Sequence, residues 1–224
     1  MNRIHRPDRR TSVRLGQLTG SVSDTPVLAA VGAAAPAFSL AWSPALKGSA
    51  STLSVSNRRI TSTSTNWASV RVSSGKSTGK WHAEATIRAL STTGVLNIGG
   101  MFGVASSALN LESYMYQESQ STCTYPNGTE CKYVHNNSGV WDFIPGTTPT
   151  PPVGTVLLIT VDFDAKKVWV GKNGTYYNSA NPTTGNGAFT WAGTRTLYVA
   201  ASVYGLCSLE LTSPVYTPSG FSVW

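Results

Sequence analysis

Charged residues and helix-forming runs are scarce in this sequence. Charged side chains make up only 12% of its 224 residues, about half of the usual share. Runs rich in Glu, Lys and Ala, which are typical of long helices, are missing. Ser, Thr, Gly and Asn take their place, while hydrophobic residues still make up 41% and can form a core. The composition therefore predicts an all-β domain with polar turns.

Cysteine is also scarce, with three residues in the chain: Cys123, Cys131 and Cys207. An odd number argues against a disulfide framework. Without a nearby histidine at ligand spacing, the cysteines give no zinc signature. Cys123 and Cys131 flank the turn-like stretch YPNGTE, so a local bridge between them stays open beside the simpler interpretation of free thiols.

Catalytic signatures are missing as well. The three histidines, His5, His82 and His135, are scattered over the chain, so they suggest no Ser-His-Asp arrangement. A nucleophile elbow and a glycine-rich phosphate loop are absent too. We therefore predict a protein that is not an enzyme, with no metal and no cofactor.

No hydrophobic run is long enough to cross a membrane. The most apolar early stretch, VLAAVGAAAPAF at 27–38, is short and contains Pro36, whereas a spanning helix needs about 20 apolar residues. It begins too late and has too little leucine for a signal peptide. The sequence thus predicts neither a membrane span nor export by a leader.

The positive charge is concentrated at one end. The formal net charge is +7, and the first fifteen residues contribute +4 of it. The arginines of this end are Arg3, Arg6, Arg9, Arg10 and Arg14. The rest of the chain has no basic stripe, so we do not expect the folded body to bind nucleic acid. We interpret residues 1–35 as a basic, then Ala-rich assembly arm that docks into an acidic protein partner, with nucleic acid as the alternative ligand of the arm. A folded domain follows at 36–224.

The folded part consists of short β-forming runs separated by turn residues. Eleven such runs lie between residues 51 and 213, a spacing typical of a sandwich or barrel. In KWHAEATI (80–87), the alternation puts Trp81, Ala83, Ala85 and Ile87 on one dry face. The same alternation predicts a solvated opposite face with His82, Glu84 and Thr86.

The stretch VDFDAKKVWVGKNG (161–174) holds two carboxylates, Asp162 and Asp164. On a strand they lie on the same face, about 6.5–7 Å apart. A glycosidase could use such a spacing, and calcium is another possible role. The neighbouring lysines Lys166 and Lys167 would keep both acids ionised, so we interpret the pair as solvent-facing or turn-stabilising residues. Asn173-Gly174 predicts a type I′ hairpin turn.

Several of these segments resemble the SPRY domain family. SGKSTGKWHAEATI (74–87), IGGMFGVASSALNL (98–111), VDFDAKKVWVGKNGTYYN (161–178) and LYVAASVYG (197–205) occur in the order of the family's strands. They are similar to its Gly-Lys-Trp strand, its Gly-Val-Ala segment, its Asp-x-Asp hairpin and its Leu-Tyr-Pro-Ala strand. LAWSPALKGSASTLSVSNRRITST (40–63) resembles the version found in bacteriophage and prophage proteins. Val199 departs from the pattern, since the family usually has Pro there.

The resemblance implies a concanavalin-A-like β-sandwich of two antiparallel sheets, a binding module without a cofactor. It further implies a non-enzymatic structural protein of a phage particle, such as a tail fibre, spike, or head or collar decoration. Such a protein would be made in the host cytoplasm, join a larger assembly through residues 1–35 and touch a host surface glycan or protein. Two other functions stay open: a soluble adaptor that binds peptides through its sandwich loops, and a glycan-active enzyme.

The segment 106–130 has no clear counterpart in the family, and a loop of that length is often functional. Four aromatic residues lie in it or close behind it: Tyr114, Tyr116, Tyr125 and Trp141. Aromatic residues on loops are typical of recognition surfaces. We predict the binding surface here, with a small core of the loop itself or a contact with a sister subunit as the alternatives.

Overall fold

The computed structural model describes residues 38–91, 100–127, 130–135, 142–143 and 151–224. Residues 38–224 form a compact unit. The predicted arm at 1–35, with its five arginines, lies outside the described residues and stays a prediction. Within the described residues, no helix has the length and apolarity to cross a membrane.

The described residues contain fifteen strands and two short 3₁₀ turns. The strands are β1 (Ser51–Ser54), β2 (Arg59–Ser62), β3 (Ala68–Arg71), β4 (Lys80–Ala89), β5 (Met101–Ala105), β6 (Thr122–Asn127), β7 (Glu130–His135), β8 (Asp142–Phe143), β9 (Val156–Asp162), β10 (Lys167–Lys172), β11 (Thr175–Tyr176), β12 (Phe189–Thr190), β13 (Tyr198–Val203), β14 (Ser208–Thr212) and β15 (Ser222–Val223). The 3₁₀ turns are Met115–Gln117 and Tyr177–Ser179.

The strands described form two sheets. The nine-stranded sheet has the order β1-β2-β14-β4-β9-β10-β11, with β12 beside β10 and β15 beside β4. The six-stranded sheet has the order β3-β13-β5-β6-β7-β8. Neighbouring strands are antiparallel except for β15, which runs parallel to β4. The all-β sandwich of two antiparallel sheets expected from the sequence is confirmed.

The main core lies between the two sheets and follows from the period-2 alternation of the strands. Ala83, Ala85 and Ile87 of β4 are fully buried there, as the pattern predicted. The facing sheet contributes Phe102 and Val104. Asn173 and Gly174 both have positive φ, as the predicted type I′ turn requires.

The predicted loop at 106–130 is shorter than expected. Residues 122–127 form β6, which pairs with β5 and β7. The threonines and Tyr125 of this stretch favour a β-strand. The stretch lacks apolar alternation, however, so its sequence does not distinguish a strand from a polar loop. The remaining segment, 106–121, contains turns and one 3₁₀ turn.

The register of this hairpin decides the question of a bridge between Cys123 and Cys131. Cys123 pairs with Val134, and Cys131 pairs with Pro126. The two cysteines are therefore three positions out of register, which separates their Cα atoms by about 10 Å along the strands. A disulfide needs Cα atoms less than about 7 Å apart, so this register is incompatible with the bridge.

The prediction of a solvated second face on β4 is wrong. His82, Glu84 and Thr86 are at most 6% exposed, because the segments 177–188 and 213–221 contact the outer face of the nine-stranded sheet. Trp169 of β10, for example, donates a hydrogen bond to the carbonyl of Asn186 and packs edge-on against Phe221. Alternation fixed which residues share a face, but not whether a later segment covers that face.

Asp162 is likewise buried rather than solvent-facing, with 5% exposure. Its carboxylate lies 3.1 Å from Lys80 Nζ and accepts a hydrogen bond from the backbone N–H of Ala165. Asp164 is exposed and accepts a hydrogen bond from the backbone N–H of Gly79. Both carboxylates thus stabilise turns, which agrees with one of the two roles expected.

The two aspartates are expected to differ in their effect on stability. Asp162→Ala should lower the free energy of unfolding by about 1–3 kcal/mol, because it removes a buried carboxylate that accepts the N–H of Ala165 and pairs with Lys80. Asp164→Ala should lower it by less than about 1 kcal/mol, since water can replace an exposed carboxylate. Urea unfolding of both variants measures the difference. Equal losses of unfolding free energy in the two variants would contradict this account. A calcium-dependent rise in the Tm of the unaltered protein that is missing in both variants would contradict it too.

Candidate functional site

Four aromatic side chains lie in a row on the outer side of the six-stranded sheet. The rings of Tyr204 and Trp67 are 5.2 Å apart, and those of Trp67 and Tyr114 are 5.3 Å apart. Tyr114 and Tyr116 stack with their rings 5.8 Å apart and 3° from parallel. We call these four residues the aromatic ladder. Each is half-buried, so each retains surface that a partner can cover.

The aromatic ladder rests on a second, smaller hydrophobic core. On β13, Val199, Ala201 and Val203 belong to the core between the sheets. Ala200 belongs to a separate cluster with Met115 and other residues of the outer side, as strand alternation requires. The segment 106–121 therefore packs its own apolar residues onto the sheet and presents its tyrosines outward.

Two buried serines hold this segment on the sheet. Ser69 Oγ donates to the carbonyl of Ser113 at 2.6 Å and lies 2.7 Å from Ser202 Oγ. A hydroxyl has only one proton, so Ser202 donates to Ser69. Ser202 Oγ in turn accepts the backbone N–H of Met115 at 2.9 Å. The chain of bonds fixes the backbone on both sides of Tyr114.

An exposed carboxylate ties the same segment to another part of the sandwich. Both oxygens of Glu112 accept hydrogen bonds from Ser49, one from its backbone N–H and one from its hydroxyl, each at 2.8 Å. These bonds, with a smaller contribution from the charge of Lys47, hold the pKa of Glu112 below its ordinary value. Ser49 thus anchors the segment at Glu112, in addition to the anchors that Ser69 and Ser202 provide at Ser113 and Met115.

Hydrogen-bonding groups surround the aromatic ladder. Gln117 Nε2 donates to the hydroxyl of Tyr114 at 3.2 Å, and Ser113 Oγ donates to Gln117 Oε1 at 2.6 Å. Glu118 accepts the hydroxyl proton of Ser106. An aromatic centre within a polar rim is the composition typical of protein-binding surfaces.

The structure brings some of the predicted binding residues together and not others. Tyr114 and Tyr116 are neighbours in the aromatic ladder. Tyr125 lies on β6 rather than in a loop, and Trp141 lies outside the described residues. Sequence reasoning missed Trp67 and Tyr204, because their segments are distant in the chain and only the pairing of β3 with β13 brings them together.

The described residues offer little for catalysis or metal binding. Among them, no group of three or more His, Cys, Asp or Glu side chains could hold a metal ion. Burial raises the pKa of the Cys207 thiol to about 12, whereas a nucleophilic cysteine needs a lowered pKa.

Comparison with solved structures gives a SPRY-like fold. The SPRY domain of human HERC1 has a TM-score of 0.56 at 14% identity, with 77% of this chain and 97% of that chain covered. The PSpry domain of TRIM65 has a TM-score of 0.56 at 12% identity, covering 79% and 93%. Stonustoxin has a TM-score of 0.55 at 14% identity, covering 78% of this chain and 27% of that one.

Comparisons by sequence give no match. No protein-family model matches the chain, and no curated protein matches it at a significant level. The likeness to the solved structures is thus one of fold, and the resemblance in the four strand segments agrees with it.

The serine anchors give a testable prediction. Ser202→Ala should lower the free energy of unfolding by about 1–3 kcal/mol, because the buried N–H of Met115 loses its acceptor. The change should also alter the fluorescence of Trp67, since the aromatic ladder loses its support. Ser73→Ala, at an exposed position, serves as the control and should change stability by less than about 0.5 kcal/mol. The account would be contradicted if both variants behaved alike.

Proposed function

We propose that this SPRY-like β-sandwich is a non-enzymatic recognition module of a bacteriophage particle. Residues 1–35 attach it to other virion proteins, and the aromatic ladder binds a protein on the host surface. The observation that carries the proposal is the aromatic ladder itself: four half-buried rings, two of which lie on an anchored segment that the sandwich does not need for its main core.

The geometry of the aromatic ladder favours a protein partner. Protein-binding hot spots are rich in Trp and Tyr and lie inside a ring of polar groups. Trp67 is tilted by 47° from Tyr114 and by 37° from Tyr204, so the rings form an uneven surface. A partner surface with its own side chains can fit between tilted rings, whereas an extended glycan stacks best on rings that share a plane.

The particle context is supported by the sequence. The start of the domain at 40–63 resembles the phage version of the fold, and the arginines of residues 1–35 suit docking into an acidic protein surface. A soluble adaptor is the second candidate, because the resemblance to SPRY domains also implies peptide binding. A particle protein is incorporated into virions, while an adaptor is found as a free monomer.

Truncation of the aromatic ladder should impair recognition without impairing assembly. We expect particles that carry Tyr114→Ala together with Tyr116→Ala to adsorb to host cells at least about tenfold more weakly, because hot-spot truncations cost at least that much in affinity. Val153→Ser, at an exposed position 57% accessible to solvent, is the control and should adsorb normally.

Other outcomes of this experiment identify other functions. Particles that fail to assemble would show that the aromatic ladder is a subunit contact. If enzymatic removal of host glycans abolished adsorption and protease treatment of the host surface did not, the partner would be a glycan rather than a protein. Normal assembly and normal adsorption would refute a role for the aromatic ladder.

Deletion of residues 1–35 tests the division into arm and domain. The sandwich is expected to keep its Tm, since its described core uses residues from Phe38 onwards. Incorporation into particles is expected to be lost. Quantitative mass spectrometry of purified virions, beside thermal unfolding of the truncated protein, measures both. A truncated protein that unfolds, or that still enters particles, would disprove the proposed role of the arm.

A further inference from the structure

A pocket lies on the opposite side of the molecule, on the outer face of the nine-stranded sheet. Its volume is about 460 Å³, within the range of about 300–1,000 Å³ for small-molecule sites. One wall is the stretch that follows β10, and the other belongs to the segment after β14. The lining residues are Gly174, Thr175, Tyr176, Ser179, Ala180, Asn181, Pro182, Thr183, Tyr216 and Pro218.

The lining has a distinctive chemistry. None of these ten residues carries a charge. Two tyrosine rings and two prolines offer apolar faces, while the side chains of Thr175, Ser179 and Thr183 offer hydroxyl groups. A sugar ring combines the same two features, since it has an apolar face of C–H groups and an edge of uncharged hydroxyls. The pocket therefore fits a neutral, hydroxyl-rich ligand.

Hydrogen bonds to buried residues of the sheet hold Tyr176, which forms one wall, in place. The hydroxyl of Tyr176 lies 2.7 Å from Thr160 Oγ1, which lies 2.7 Å from His82 Nδ1. Thr160 and His82 are fully buried. Burial also raises the pKa of Tyr176 to about 12, so its hydroxyl keeps its proton at neutral pH.

The opposite wall belongs to the same hydrogen-bonded chain. His82 Nε2 lies 2.9 Å from Glu84 Oε1. That oxygen also accepts the backbone N–H groups of Val215 at 3.0 Å and Tyr216 at 2.6 Å. Glu84 is 1% exposed, so the accepting oxygen of these bonds is shielded from water. The chain of bonds thus connects Tyr176 to Tyr216 through the sheet, and it holds both walls in place before any ligand arrives.

Gly174 sets how closely the two walls approach each other. It has φ +80°, and a Cβ at this position would lie 2.8 Å from Cδ1 of Tyr216. The ring of Tyr216 therefore packs directly on the hairpin backbone, and 38% of this residue remains exposed. Such a ring is held rigidly yet keeps surface for stacking, which is the arrangement expected of a preorganised site.

We propose that the pocket between Tyr176 and Tyr216 is a binding site for a neutral mono- or disaccharide. The site lies on the other sheet from the aromatic ladder and does not depend on the ladder's function. Tyr216 supplies the stacking face, Thr183 supplies a hydroxyl partner, and Glu84 acts as a positioning residue that holds the segment 215–216.

Saturation-transfer NMR on the full chain tests the proposal, with glucose, galactose and N-acetylglucosamine as probes at millimolar concentration. We expect transfer to at least one of these sugars, and weaker transfer to glucuronic acid and glucosamine, because the lining offers no charge to pair with theirs. Tyr216→Ala should weaken binding at least about tenfold. Leu206→Asn, at an exposed turn outside the pocket, should leave it unchanged.

A second variant keeps the test valid if Tyr216→Ala fails to fold. Thr183→Val removes one exposed hydroxyl of the lining and leaves intact the backbone N–H that bonds to Asn181; we expect severalfold weaker binding. The proposal is overturned if none of the three neutral sugars shows transfer. It is also overturned if Tyr216→Ala folds and shows undiminished transfer. If Tyr216→Ala does not fold, undiminished transfer in Thr183→Val overturns the proposal instead.

Discussion

In each sheet, the face that points away from the main core is covered by another segment of the chain, and the rest of this structure depends on that coverage. A sandwich needs only one buried face per sheet, yet here segments 106–121 and 213–221 contact the faces that point away from the main core. Polar side chains on those faces become internal and need partners, because an unpaired buried polar group costs about 1–3 kcal/mol. Ser69 and Ser202 meet that need on one sheet, and His82, Thr160 and one oxygen of Glu84 meet it on the other. The second oxygen, Glu84 Oε2, is buried without a hydrogen-bond partner among the described residues.

The same constraint explains where the candidate sites lie. A segment that covers a sheet buries one side of its chain and presents the other side to solvent. On the six-stranded sheet the buried side is Met115 and the presented side includes Tyr114 and Tyr116. On the nine-stranded sheet Glu84 holds the backbone of residues 215–216, and Tyr216 is presented beside Gly174. In both cases a buried hydrogen-bond chain positions an aromatic side chain, so the sandwich acts as a rigid support for side chains that are not part of its core.

Sequence reasoning predicted the scaffold better than the sites. The bounds of β10 and β4 follow from strict alternation and clear turn signals, and Asn173-Gly174 fixed its hairpin turn. The burial of His82, Glu84 and Asp162 could not be predicted, since alternation reports which residues share a face and not what covers it. The aromatic ladder was half predicted: Tyr114 and Tyr116 are local to one segment, while Trp67 and Tyr204 reach them only through long-range strand pairing. The binding roles of Tyr125 and Trp141 and the arm at 1–35 remain predictions.

Hydroxyl-radical footprinting tests the central claim, that the aromatic ladder is the recognition surface, most directly. Oxidation of Trp67, Tyr114, Tyr116 and Tyr204 would be measured by mass spectrometry in the free protein, in intact particles and in particles bound to host cells. The account predicts similar oxidation in the free protein and in particles, and strong protection of these four residues once host cells are bound. Protection already present in particles without host cells, or oxidation unchanged by host binding, would contradict it.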